Sequence, residues 1–228
     1  MIATKYDQHL AGIIDHTLLK PDATVADLTK TCDEAKKYNF ATVCVRVENI
    51  PLVTNLLKDS SVKPIAVVSF PHGTDTTATK MLETKKAIAA GAKEIDMVIN
   101  LDELKAKNYL IVYDDIKQVV TAAKPHLVKV IIETSNLTTD EKIAACVLAK
   151  AAGAHFVKTS TGFGAGGATV EDIMLMRRIV GSDMKIKASG GIRTKEDAEK
   201  MVMAGANRIG ASASVAIVTG EQHNTPGY

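Results

Sequence analysis

Apolar positions along the chain fall into short runs of strand length, and each run is followed by a stretch in which apolar residues recur every three or four positions. The strand-like runs lie near residues 11, 41, 64, 95, 127, 155, 185 and 207, about 22 to 32 residues apart. Eight β-α units are the simplest count, and that alternation predicts a parallel sheet with helices packed against it. A weak internal repeat agrees: "AAGAKEIDMVIN", "AAGAHFVKTS" and "MAGANRIGAS" each carry Ala-Gly-Ala, two further residues and then a strand. In these repeats Gly91, Gly153 and Gly205 are expected to take the left-handed conformation that ends a helix. Four helix starts show a threonine followed three residues later by an acid, Thr24 with Asp27, Thr138 with Glu141, Thr169 with Asp172 and Thr194 with Asp197. The pattern reads as an α/β protein, a single-domain (β/α)8 barrel over residues 1–228, with a short N-terminal helix and a loosely held tail from about residue 220. A doubly wound open sheet stays the rival, because counting repeats does not demonstrate closure. If the barrel is closed, its site belongs at the C-terminal ends of the strands.

Side chains alternate along a strand, so each run divides into a face toward the helices and a face toward the barrel axis. In "TVCVRV" the apolar face is Val43, Val45 and Val47, which turns Thr42, Cys44 and Arg46 inward. In "EIDMVIN" Ile95, Met97 and Ile99 face the helices, leaving Asp96, Val98 and Asn100 for the axis. "VKVIIE" places Lys129, Ile131 and Glu133 inside, "FVKTS" places Phe156, Lys158 and Ser160 there, and "KIKAS" places Lys185, Lys187 and Ser189. Barrel interiors are usually layers of bulky apolar residues, so collecting Arg46, Asp96, Lys129, Lys158 and Lys187 inside one is costly unless it serves chemistry. A lone lysine of this kind could equally be a strand-end residue reaching solvent; convergence from several strands weighs against that for the set.

The chemistry such a set supports is Schiff-base catalysis. Lysine is a nucleophile only as the neutral amine, and an ordinary pKa near 10.4 leaves it almost wholly protonated at neutral pH. A second ammonium about 5 Å away opposes that charge by roughly 3 kcal/mol at an effective dielectric of about 20, or about two pKa units. Lys187 is placed to act in this way on Lys158, and Asp96 to move protons once the amine has added to a carbonyl. Three glycine-bearing loops, "TGFGAGG", "SGGIRT" and "GASAS", follow the sixth, seventh and eighth strands. Together their backbone N–H groups favour a phosphorylated ligand, although each alone is compatible with a tight turn.

Composition narrows the partners. Residues are 46% hydrophobic and 24% charged, and a net charge of +2 with dispersed basic residues leaves no footprint for nucleic acid. No apolar run approaches the about 18 residues of a membrane span, and "MIATKYDQHL" lacks the apolar core of a signal peptide, so a cytoplasmic protein is expected. Cys32, Cys44 and Cys146 are odd in number and widely spaced, which suggests a reducing compartment and no disulfide framework. His9, His16, His72, His126, His155 and His223 show neither HxH nor HExxH spacing, so no metal or other cofactor is expected. Cys44 faces inward but has no evident triad, and a small buried thiol is its simplest reading.

The segments "IDHTLLKPDAT", "VCVR", "SFPHG", "EIDMVIN", "KVIIET", "FVKTSTGF", "KASGGIRT" and "RIGASAS" together resemble the deoxyribose-phosphate aldolase family, in order and over nearly the whole chain. The resemblance implies a metal-independent class I aldolase on a (β/α)8 barrel. Its reaction joins acetaldehyde reversibly to glyceraldehyde 3-phosphate, giving 2-deoxyribose 5-phosphate, in deoxyribonucleoside catabolism. It implies Lys158 as the Schiff-base lysine, with Asp96 and Lys187 as proton relay and activating pair. It also implies Thr161, Gly162, Gly190, Gly191, Gly210 and Ser212 around the phosphate, Thr17 and Cys44 along the substrate cavity, and a monomer or homodimer. One departure is Phe163, where some members of the family carry a phosphate-binding lysine; phosphate would then rest more on backbone amides. The chain ends in Tyr228, as do certain members whose tail reaches the site. The alternatives are another Schiff-base aldolase of transaldolase type, a catalytically silent sugar-phosphate-binding barrel and a metal-dependent aldolase.

Overall fold

The computed structural model describes residues 6–220. A short helix α1 (Gln8–Ala11) leads into β1 (Ile14–Thr17), α2 (Val25–Tyr38), β2 (Thr42–Val45), α3 (Ile50–Leu57) and β3 (Lys63–Val68). Then come α4 (Thr77–Ala89), β4 (Glu94–Val98), α5 (Leu101–Lys105), α6 (Tyr109–Ala123), β5 (Leu127–Ile131) and α7 (Thr139–Ala151). The chain continues through β6 (Phe156–Lys158), α8 (Val170–Val180), β7 (Lys185–Ser189), α9 (Lys195–Ala204), β8 (Arg208–Ala211) and α10 (Ser214–Thr219). The eight strands are parallel, pair in sequence order, and close where β8 meets β1 through Ile14 opposite Ile209. The barrel is therefore closed, which removes the open-sheet rival.

The outward strand faces make the main core. Val43, Val45, Ile95, Met97, Val128, Val130 and Ile186 are fully buried against the helices. Each such side chain contributes about 1.5 to 3 kcal/mol of transfer free energy. Helix starts follow the threonine pattern: Thr24, Thr138 and Thr194 each form a reciprocal capping box with the acid three residues on. At Thr169 only half of it forms, because the Asp172 carboxylate is taken by Lys142 Nζ at 2.6 Å. Gly91, Gly153 and Gly205 have φ of 112°, 85° and 118°, as the repeats imply.

The structure corrects several inward assignments at strand ends. β1 starts at Ile14, because Asp7 caps the N–H groups of His9 and Leu10 and winds that first apolar stretch into α1. β2 stops at Val45, and Arg46 beyond it stays out of the charged column: its Nε donates to the Leu19 carbonyl at 3.0 Å and its guanidinium stands 5.9 Å over the Phe70 ring. Asn100 lies beyond β4 and caps α5 by accepting from Glu103 N–H. Lys185 keeps the inward face, its Nζ 5.7 Å from the centre of the Phe156 ring, but it stands exposed at the N-terminal end of β7.

The interior is also less uniformly polar than the alternation suggested. Cys44, Ile65, Val67 and Leu19 form a small apolar wedge inside β1 to β3. The remaining strands line the charged side.

Candidate active site

Strand register delivers the charged residues to one level. Asp96 lies opposite Lys129 across β4 and β5, and Lys158 opposite Lys187 across β6 and β7. Asp96 is fully buried and is the hub: Oδ2 accepts from Lys158 Nζ at 2.9 Å and Lys187 Nζ at 2.7 Å, while Oδ1 accepts from Lys129 Nζ at 2.9 Å. Below it Lys187 also reaches Asp15 Oδ2 at 2.6 Å, and Lys129 binds Glu94 Oε2. Arg208 Nη1 meets Asp15 Oδ1 at 2.7 Å and Glu94 Oε2 at 3.4 Å, and Thr42 donates to Asp15 Oδ1 at 2.7 Å.

This column holds four basic side chains, Lys129, Lys158, Lys187 and Arg208, and three carboxylates, Asp15, Glu94 and Asp96. Charge inside a low-dielectric barrel is tolerated only when balanced. Leaving Lys158 as the neutral amine leaves the column neutral.

The titration directions agree. Burial pushes the Lys158 ammonium below its ordinary value, with the Lys187 charge adding to that effect and Asp96 opposing it. Lys187 moves the other way: burial disfavours its charge, but Asp15 and Asp96 outweigh burial and hold it protonated well above the usual lysine range. Burial would also raise Asp96, yet Lys129, Lys158 and Lys187 together keep it ionised well below the usual carboxylate range. Burial, more than Lys187, thus sets the amine of Lys158 apart from ordinary lysines.

Above the column opens a cavity of about 310 Å³. Lys158, Thr17, Thr161, Gly162, Gly190, Gly191, Gly210 and Ser212 all line it. The structure therefore gathers every predicted site residue there except Cys44, Asp96 and Lys187. Asp96 and Lys187 form its charged floor. Cys44 sits in the apolar wedge, its thiol pushed up to about 11 by burial, so it is uncharged at neutral pH. Tyr228 lies outside the described residues.

Close packing of the loops explains the glycines. A Cβ on Gly167 would come within 2.3 Å of the Gly190 carbonyl oxygen, and one on Gly210 within 2.8 Å of Lys187 Cε. Among the described residues, the N–H groups of Gly162, Gly164, Ala165, Gly166, Gly167, Gly190 and Gly191 donate to no protein acceptor. Amides with unfilled donors around a cavity are what an anion requires.

Sequence reasoning missed three members of the column, Asp15, Glu94 and Arg208, and a side chain on the cavity wall, Arg193. Asp15 and Glu94 each stand two residues before an inward residue, Thr17 and Asp96, so the same alternation contained them. A larger cavity of about 470 Å³ lies at the opposite end of the barrel, around Lys58, Lys63 and Lys93, and none of the column's amines lines it.

Fold and site together define a (β/α)8 barrel enzyme with a buried amine at the foot of a cavity ringed by glycine-bearing loops. The chain belongs to the DeoC/LacD family of aldolases: that family's model, described as "DeoC/LacD family aldolase", matches residues 10–220. A deoxyribose-phosphate aldolase of Clostridium perfringens is 59% identical over 94% of this chain and 96% of its own length. One of Clostridium novyi is 57% identical over 96% of this chain and all of its own. Among solved structures, the tetrameric deoxyribose phosphate aldolase of Aeropyrum pernix superposes with a TM-score of 0.87 at 32% identity, covering 92% of this chain and 89% of that one.

Proposed function

We propose that the chain cleaves 2-deoxyribose 5-phosphate reversibly to glyceraldehyde 3-phosphate and acetaldehyde, with Lys158 as the Schiff-base lysine. The observation that carries this reading is the buried Lys158 amine at the floor of the cavity, in a column whose three carboxylates are already matched by Lys129, Lys187 and Arg208. In the cleavage direction the Lys158 amine adds to the open-chain aldehyde carbon, and loss of water leaves the imine. Removing the proton from the hydroxyl on the third carbon breaks the bond between the second and third carbons, and the electron pair passes to the imine, giving an enamine. The Asp96 carboxylate accepts these protons and, with the ammonium of Lys187 as donor, returns them, directly or through water. Protonation of the enamine and hydrolysis release acetaldehyde and restore the amine. The amides of Gly162, Gly164 to Gly167, Gly190 and Gly191, with Arg193, hold the phosphate at the other end of the cavity. Phe163, packed edge to face on Phe70 at 5.3 Å, replaces a cation with an aromatic lip.

Borohydride reduction in the presence of acetaldehyde, followed by peptide mass spectrometry, tests the assignment. The label is expected on Lys158 alone, and a label on any other lysine overturns it.

The cytoplasmic placement rests on three reduced, buried cysteines and on the small-molecule chemistry. None of the described helices is long and apolar enough to cross a membrane. Homodimer formation is supported by the exposed apolar residues Leu110, Ile111 and Val147 on α6 and α7, and light scattering of the purified chain tests it.

A further inference from the structure

One carboxylate beside the cavity takes no part in the charged column. Glu133 is 4% exposed and lies two residues past the end of β5, in the left-handed conformation with φ of 51°. Such backbone is strained for a residue with a side chain, and it persists only where its surroundings impose it. Here both flanks are tied to the end of β6 and the residue after it: Ile132 N–H donates to the Lys158 carbonyl at 3.0 Å and Thr134 N–H to that of Thr159 at 2.9 Å. The twist between them turns the Glu133 side chain onto the glycine-bearing loop.

There its Oε2 accepts from both the N–H and the hydroxyl of Thr161, the former at 3.1 Å, and Thr161 Oγ1 accepts from Phe163 N–H at 3.0 Å. The donors of residues 161 and 163 are thereby drawn to the Glu133 side. Those of Gly162 and of residues 164–167 stay unfilled among the described residues, and these residues line the cavity. A Cβ on Gly164 would lie 3.2 Å from the same carboxylate, so the loop packs closely against Glu133.

We propose that Glu133 is the positioning residue of the phosphate site: it sorts the amides of the loop and presents one set of them to the anion. This rests on the reading of the cavity as a phosphate-binding aldolase site. Glu133 does not bind the phosphate itself, since a carboxylate set toward a phosphate repels it. It acts through Thr161, whose own donors are occupied and which therefore shapes the loop instead of holding the ligand.

Steady-state kinetics on 2-deoxyribose 5-phosphate and on unphosphorylated 2-deoxyribose test the proposal with Glu133→Ala, Glu133→Gln and Thr161→Val. In Glu133→Ala, KM for the phosphate ester is expected to rise about tenfold, the size expected for losing a charge-assisted hydrogen-bond pair, with kcat within about twofold. The kcat/KM for the free sugar stays unchanged. Glu133→Gln keeps an acceptor oxygen and returns KM to within about twofold of the parent. If circular dichroism shows that Glu133→Ala does not fold, Thr161→Val, which cuts the link to Phe163 N–H, is expected to give the same split between substrates. Equal losses on both sugars, an unchanged KM, or a lower KM in both Glu133 variants would overturn the proposal. Borohydride trapping with acetaldehyde on each variant separates the two layers: failure to label Lys158 in the parent protein sinks the aldolase reading, whereas normal labelling with no split between substrates sinks only the assignment to Glu133.

Discussion

At the scale of the residue, the chemistry turns on how far the surroundings of Lys158 push its proton off. Because burial lowers its pKa below the ordinary 10.5, the acid limb of kcat/KM is expected below that value, with activity rising as pH climbs through it. Lys187→Met removes one neighbouring cation and leaves Asp96 and Asp15 to pull the remaining protons in. The acid limb then moves to higher pH, and activity at pH 7 falls by about 100-fold if the shift is about two units. Asp96→Asn acts in the opposite sense on the amine. It removes the only carboxylate among the described residues that touches Lys158, so acetaldehyde trapping is expected to persist, and at lower pH than in the parent. Turnover should nevertheless drop by about 10²- to 10⁴-fold, because the group that moves protons is gone. A variant that lost trapping and turnover together would contradict this division of labour.

Between residue and molecule stand the strands and helices that carry these groups, and here the limits of reading sequence become physical. The alternation of "EIDMV", "VKVI" and "KIKAS" correctly turned Asp96, Lys129 and Lys187 inward, since period two holds for as long as a strand stays paired. It did not carry Arg46, Asn100 and Glu133 into the column: all three follow the last paired residue, where a 3-10 turn, a helix cap or a left-handed kink takes over the backbone. The Lys80 to Asp115 pair was not legible at all. It joins α4 to α6 at 2.6 Å, with Lys80 Nζ also on the Val98 carbonyl at 3.2 Å, and no local pattern links residues on separate helices. Both side chains are buried in the helical layer. Lys80→Met is expected to cost about 3 to 5 kcal/mol by stranding the Asp115 charge, and the double variant Lys80→Met, Asp115→Leu to recover most of that, as read from urea denaturation midpoints. Gly210→Ala tests β8 in the same way. Its Cβ would meet Lys187 Cε at 2.8 Å while that lysine is pinned between Asp15 and Asp96, so a loss of about 1 to 3 kcal/mol with reduced kcat is expected.

For the molecule as a whole, the buried column ties stability to pH with two opposite signs. Asp15 and Asp96 have folded pKa values depressed below 3.8: burial opposes this, but the surrounding Lys129, Lys187 and Arg208 or Lys158 outweigh it. Their contribution is present above the unfolded value and lost as pH falls through the folded ones. Lys187 and Lys129 are raised above 10.5, so theirs is present below that value and lost as pH rises past it. Lys158 alone runs the other way. Its folded pKa is depressed, so the unfolded chain binds its proton more tightly, and stability rises with pH from the folded value up to about 10.5. At neutral pH the Lys158 amine is therefore a burden on the fold. Replacing it by an apolar side chain of similar length keeps the three carboxylates matched by Lys129, Lys187 and Arg208. Lys158→Met is accordingly expected to abolish activity and to stabilise the protein at pH 7 by about 1 to 2 kcal/mol, or roughly 2 to 8 °C in Tm. The gain should shrink as pH rises to and past 10.5, above which the parent amine carries no proton in either state. Thermal unfolding of both proteins from pH 6 to pH 10 measures it, and a Lys158→Met protein less stable than the parent at pH 7 would mean that the column needs the fourth charge.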